Sequence, residues 1–206
     1  MRTRALTRRH LVIMAKAPQA GRVKTRLAAS IGTIEALRSY RVLLEATVRR
    51  LASDRRWTTW LAVTPDGAAR RLAAWACGVG PVAVTPQGPG GLGERMQRLM
   101  DRLPPGPVII LGSDIPGLGK PDIAAAFRAL GPSDAVFGPA EDGGYWLVGQ
   151  RRLPQVPRLF DAVRWSSADT LADTLANLKG RKIVHLRKIA DIDDEADYLR
   201  WRRGRQ

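Results

Sequence analysis

Cations and carboxylates recur in this chain at the ends of apolar runs, and the first group is the densest. Leu11-Val12-Ile13-Met14-Ala15 is followed by Lys16-Ala17-Pro18-Gln19-Ala20-Gly21-Arg22-Val23-Lys24-Thr25-Arg26-Leu27. The apolar run reads as a buried strand, and the Pro, the Gly and the cations behind it read as a loop. Ligands of open α/β sheets sit beyond the carboxyl ends of strands, so a basic loop there has the chemistry of a phosphate cradle. Gly21 supplies a positive φ or a close backbone approach, while Lys16, Arg22, Lys24 and Arg26 can reach anionic oxygens from several sides. The loop is not a Walker P-loop, because it lacks the upstream glycine and the Gly-Lys-Thr adjacency. A solvated basic turn would use the same letters.

The acids are spaced to answer it. Gly112-Ser113-Asp114-Ile115-Pro116-Gly117 closes the apolar run 107–112, which places Asp114 at a strand end with a rigid turn behind it. Mg²⁺ or Mn²⁺ takes carboxylate and phosphate oxygens together, so Asp114 is the first metal-ligand candidate. Capping of the following turn is its competing role. Glu141-Asp142-Gly143-Gly144 puts two carboxylates between two strands. Asp-Gly suffices for a hairpin turn, which leaves Glu141 free to bind a metal or act as general base. Asp191-Ile192-Asp193-Asp194-Glu195 is a third acidic group, in which several acids simply favour a helix N-terminus.

Other motifs carry less. Gly88-Pro89-Gly90-Gly91-Leu92-Gly93 fits G-x-G-x-x-G formally, but it follows the third strand and has no acidic ribose ligand closing the next one. A mobile substrate loop with Gly93, Glu94 and Arg95 at a helix start fits better than a dinucleotide site. His10 and His185 read as packing residues. Trp165-Ser166-Ser167 reads as a helix start capped by Ser, with Trp165 placed to stack on a base or sugar. No nucleophile signature supports acyl-enzyme chemistry.

The elements that must position these groups alternate. Ile34, Leu37, Arg41, Leu44, Val48 and Leu51 repeat at helical spacing to about Ala52. Strands are predicted over 57–63, 81–85, 107–112, 135–137, 145–148 and 182–186, with helices to about Cys77 and over 94–103, 121–130, 166–178 and 193–201. The two strands around the Asp-Gly-Gly turn follow so closely that one is expected to run antiparallel in a mostly parallel sheet. The pattern predicts an α/β fold, a three-layer α/β/α sandwich with a mixed sheet.

Composition bounds the rest. The 206 residues suit one domain over 10–203 with basic tails at 1–9 and 204–206. Of the formal net charge of +15, residues 1–9 and 200–206 hold four arginines each and no acid, which leaves +7 for the body. No cationic helix stripe, ribonucleoprotein signature or zinc-finger spacing is present, so nucleic acid is a minor option as partner beside a phosphorylated small molecule. The apolar run after the basic N-terminus stops at Lys16, too short to span a membrane or serve as a signal core. The single Cys77 lies in an apolar run and is expected to be a buried, inert thiol, which fits a reducing cytoplasm.

Taken together, Ala15-Lys16-Ala17-Pro18 with Gly21 to Leu27, Leu92-Gly93-Glu94-Arg95-Met96, Gly112-Ser113-Asp114-Ile115-Pro116 and Phe137 to Gly149 resemble a bacterial family of nucleotide-diphospho-sugar transferase fold. Its members are often labelled arsenosugar-biosynthesis glycosyltransferase-like proteins. The resemblance covers most of residues 10–199 and implies a glycosyltransferase-A-type domain. The wider superfamily includes the molybdenum-cofactor and phospholactate guanylyltransferases. By that similarity Asp114 holds a divalent metal, Asp193 completes the ion site, and Arg22, Lys24 and Arg26 hold phosphates. Two departures stand out: Gly112 occupies the first position of the Asp-x-Asp usual in sugar transferases, and the Arg-Met-Gly loop of nucleotidyltransferases is absent.

The expected activity is metal-dependent sugar transfer from a nucleotide-diphospho-sugar to a small-molecule acceptor, with Glu141 or Asp142 as base. Gly143, Gly144, Tyr145 and Trp165 are the expected substrate contacts. Nucleotidyl transfer from an NTP with pyrophosphate release is the alternative enzyme, and a non-catalytic nucleotide-binding protein is the third reading. Oligomeric state is not legible.

Overall fold

A computed structural model describes residues 8–153, 155–189 and 195–203. Its centre is the strand β1, His10–Lys16, in which Leu11, Val12 and Ile13 are fully buried. A strand covered on both faces can be apolar at every position, and β1 is flanked in parallel by β2 (Thr58–Thr64) and β4 (Val108–Gly112). With β3 (Val82–Pro86), β5 (Ala135–Pro139), β6 (Tyr145–Gln150) and β7 (Ile183–His185) they form one sheet ordered β3-β2-β1-β4-β6-β5-β7. Only β6 runs against its neighbours, pairing antiparallel with β4 on one side and with β5, the strand just before it, on the other. The expected mixed three-layer α/β architecture is therefore present.

Helices pack on both faces because successive strand residues point to opposite sides. Leu11, Ile13, Ile109 and Leu111 meet α2 (Thr33–Ala52), α3 (Ala69–Cys77) and α5 (Lys120–Ala129). Val12, Val108 and Ile110 meet α4 (Leu92–Arg102) and the segment around α6 (Thr170–Ala176). A smaller cluster joins α1 (Thr25–Ile31), α2 and α7 (Glu195–Arg203) through Leu27, Leu43 and Tyr198.

Several expectations change. The buried face of α2 runs through Ala36, Tyr40, Leu43, Leu44, Thr47, Val48 and Leu51, so Ile34 and Arg41 fall outside it and are exposed. Cys77 is exposed, because the face of α3 that meets the sheet is set by Leu72 and Ala76. His185 is exposed on the short strand β7, although its ring lies near that of Phe137, whereas His10 is buried as expected. The helix expected from 166 starts at Thr170, since Ser166 takes a left-handed φ of 55° that no right-handed helix admits. The helix α1 had no counterpart in the predicted elements.

The 87–91 loop, expected to be mobile, makes hydrogen bonds to the elements around it. Gly88 N–H donates to Asp66, Arg98 donates to the Gln87 carbonyl, and Gly91 N–H donates to Glu94 at 2.7 Å. Among the described residues no helix is long and apolar enough to cross a membrane.

Candidate functional site

The chain leaves β1 toward β2 on one side and enters β4 on the other, so these adjacent strands form the switch point where a crevice opens beyond their carboxyl ends. The register sets Lys16 beside Thr64 and Met14 beside Gly112. Two residues beyond Gly112, Asp114 therefore leaves the sheet close to the level of Lys16. The loops after β1, β2, β3, β4 and β5 all lie at this edge.

A cleft of about 420 Å³ occupies the crevice and is lined by Lys16, Lys24, Arg26 and Arg95 together with Ser113 and Asp114. A second lobe of about 280 Å³ adjoins it on the β6 side. Met14, Leu92, Gly112, Asp114 and Ser166 line both. Asp114 thus stands where a cationic lobe meets a second one with no Lys, Arg or His among its described lining residues.

Lys24 and Asp114 form an ion pair across the crevice, with side chains 8% and 25% exposed. Lys24 also takes a left-handed φ of 47° at the start of α1. A non-glycine residue held there costs of order 1–3 kcal/mol and tends to mark functional positions. Ser166, the other left-handed residue of the cleft wall, sits on a turn clamped by Arg164, which donates to both carboxylate oxygens of Asp173. That pairing holds the Asp173 carboxyl down at about 2.

Three polar residues fix the loops. The Lys16 N–H donates to the Tyr40 hydroxyl at 3.0 Å, and that hydroxyl donates back to the Lys16 carbonyl at 2.9 Å. Ser113 Oγ reaches the same hydroxyl at 3.4 Å, so Tyr40 ties the cationic loop to the Asp114 loop. Burial pushes the Tyr40 phenol above its ordinary value, so it stays a neutral donor and acceptor. Gln87 Nε2 donates to the carbonyls of Ala15 and Ala62 and closes the ends of β1 and β2.

The β5–β6 hairpin forms the far wall. Asp142 accepts the Gly144 N–H at 2.9 Å, and it lines the second lobe with Gly144 and Tyr145. Glu141 is exposed and lines neither lobe. Gly143 has a φ of +86°, and a Cβ there would collide with the backbone of Ala168. The hairpin therefore presses directly on the 164–169 turn, and Leu171 N–H donates to the Gly143 carbonyl. Tyr145 is pushed up by burial, with Thr174 donating to its hydroxyl.

The crevice thus gathers Lys16, Lys24, Arg26, Arg95, Asp114, Asp142, Gly144, Tyr145 and Trp165. Gly21 has the positive φ expected of it, 72°, but neither it nor the exposed Arg22 lines the cleft. Glu94 instead caps its own helix, and Gly93 lets Phe160 and Trp165 pack within 3.0 Å of where a Cβ would stand. Asp193 lies outside the described residues. Among the described residues no three His, Cys, Asp or Glu side chains cluster to hold an ion.

Sequence reasoning missed Tyr40, Thr64 and Gln87. Tyr40 had a signal: a polar-tipped aromatic in register with Leu44, Val48 and Leu51 on a buried helix face.

No curated protein matches the sequence significantly. Among solved structures, a protein of Desulfovibrio desulfuricans G20 provisionally assigned as a nucleotide-diphospho-sugar transferase is 29% identical, with 98% of this chain and 89% of that one covered and a TM-score of 0.86. 4-Diphosphocytidyl-2C-methyl-D-erythritol synthase of Anaerococcus prevotii DSM 20548 shares the fold at 11% identity, 97% and 96% coverage and a TM-score of 0.66. The mannosyltransferase PcManGT of Pyrobaculum calidifontis, solved with GDP-Man and Mn²⁺, shares it at 13% identity, 97% and 61% coverage and a TM-score of 0.57. The first match supports the nucleotide-diphospho-sugar transferase superfamily, the other two show the fold alone, and none supports the arsenosugar label. A family model spanning residues 47–167 matches as well, and the chain belongs to that family, DUF2064, described as an uncharacterized protein conserved in bacteria.

Proposed function

We propose that the chain is a transferase that cleaves a nucleotide-diphospho-sugar in this crevice and passes the sugar to a hydroxyl of a small-molecule acceptor. The observation that carries the reading is the position of Asp114, at the junction of a lobe lined by Lys16, Lys24, Arg26 and Arg95 with one that holds Asp142 and aromatic rings. The cationic lobe suits a diphosphate, whose oxygens would draw the Lys24 ammonium off Asp114.

The residues fit a divalent ion, since Mg²⁺ binds through one or two carboxylates together with substrate phosphates, and Asp114 supplies one at the right place. Bound there, Mg²⁺ or Mn²⁺ would neutralise the departing diphosphate. Asp142 is the base in preference to Glu141, because it alone of the pair lines the cleft. It takes the proton of the acceptor hydroxyl while that oxygen bonds to the anomeric carbon. The bond from that carbon to the diphosphate breaks, and the nucleoside diphosphate leaves with the electron pair, held by the cationic wall. Tyr40 and Gln87 keep the three strand ends in place.

One observation favours nucleotidyl transfer instead. Gly112 stands where sugar transferases carry the first acid of an Asp-x-Asp pair, and a Cβ there would stand 3.2 Å from Asp114 Oδ1, so an acid at this position would require the Asp114 side chain to shift. Turnover with UDP-sugars, GDP-sugars, GTP and CTP, with and without Mg²⁺, separates the two. Free nucleoside diphosphate from a nucleotide sugar is the expected product. Pyrophosphate from an NTP would replace this reading with the second, and turnover of neither class would remove both.

A further inference from the structure

The two lobes of the cleft differ in kind. The larger one draws four cations from three elements, whereas the smaller has no Lys, Arg or His among its described lining residues. Its charged groups are the carboxylates of Asp114 and Asp142, and its walls include Met14, Met96, Tyr145 and Trp165. Trp165 is half-buried and braced against Phe160, with ring centroids 6.0 Å apart. Of the Asp142 oxygens, Oδ1 accepts the Gly144 N–H.

We infer that the smaller lobe takes an uncharged, hydroxylated ring that lays an apolar face on Trp165, and that it turns phosphorylated molecules away. This rests on the reading of the cleft as a two-substrate site. A phosphate dianion brought into this lobe would face the Asp142 carboxylate with no cation of the lobe to answer it, since the nearest cation, Lys24, lines the other lobe and is already paired with Asp114. A neutral ring loses little by entering, since its apolar face stacks on the indole and its hydroxyls can donate to Asp142. A lining that combines carboxylates with rings matches a molecule that has both hydroxyls and an apolar face. The second substrate of the reaction, or the sugar of the first, then carries no phosphate of its own.

Phenyl β-D-glucopyranoside and its 6-phosphate, titrated calorimetrically into the full chain in EDTA, test this without any variant. The neutral glycoside is expected to bind about tenfold or more tightly than the phosphate ester, a difference of about one aromatic or charge contact. Trp165→Ala is expected to weaken the glycoside by about tenfold, and Trp165→Phe to restore most of it. Equal or tighter binding of the phosphate ester overturns the inference, as does failure of both probes to bind at millimolar concentration. A parallel titration with UDP-glucose and GTP in Mg²⁺ tests the transferase reading separately. If no nucleotide binds while the glycoside does, that reading falls and the neutral lobe stands. If nucleotides bind and the phosphate ester is accepted, the outcome is reversed.

Discussion

Asp142 and Glu141 are neighbours with the same functional group, yet only one of them meets the cleft. Asp142→Asn is expected to lower turnover by about 10²–10⁴-fold, the range for loss of a general base. Glu141→Gln is expected to leave it near the wild-type rate, and a steady-state assay with a nucleotide sugar compares the two. Asp114→Asn is expected to cost about 10²–10³-fold in kcat, as for loss of one group stabilising transition-state charge. The same assay run over a series of Mg²⁺ concentrations reads whether the metal requirement is lost with it. From the sequence alone the turn left Glu141 as the free acid and both stayed candidate bases, because which one faces a ligand depends on the local turn. Here that turn is set by the Asp142 bond to the Gly144 N–H and by the positive φ at Gly143.

At the scale of elements, the crevice depends on parts that touch no ligand themselves. Tyr40 on α2 satisfies both backbone groups of Lys16, so Tyr40→Phe strands a donor and an acceptor at the head of the cationic loop. The expected loss is about 1–3 kcal/mol of stability by urea unfolding, with a rise in KM for the nucleotide larger than the fall in kcat. Gly143→Ala is expected to cost about 1–3 kcal/mol, since the left-handed backbone and the contact with Ala168 both resist a Cβ. Thermal unfolding checks it. The alternation of strands and helices was legible because apolar period and element length are local properties. The start of α6 was not, because a left-handed Ser166 clamped through Arg164 to Asp173 is a product of contacts between segments.

For the whole molecule, the sheet is both core and scaffold. Leu44, 1% exposed in the cluster that joins α2 to β1 and β4, is expected to cost about 2–5 kcal/mol on truncation to Ala. At the opposite end of β1 from the site, His10 is buried and accepts the Trp60 indole N–H at 3.2 Å. Burial holds its imidazole below the ordinary value of 6.5, and Arg152 and Arg8 add to this. The unfolded chain takes that proton first, so the contribution is fully present above about pH 6.5 and declines as pH falls toward the lowered value. Urea midpoints measured between pH 8 and 5 should fall over this window, and His10→Gln should flatten the slope.

What the sequence by itself determined is the set of parts: apolar strands, helices between them, a basic loop after β1 and an acid after β4. Each follows from short-range patterning, and the placement of ligands at strand carboxyl ends follows from the alternation of strands and helices. Only the tertiary structure decided the pairings. Lys24 meets Asp114 because β1 and β4 are adjacent in the sheet while far apart in the chain, and Tyr40 enters the site because α2 lies across both. The division of the cleft into a lobe lined by four cations and one with none among its described lining residues has the same origin. Charge in a sequence has an order, but only packing brings cations from three elements to one wall and leaves the other to rings and carboxylates.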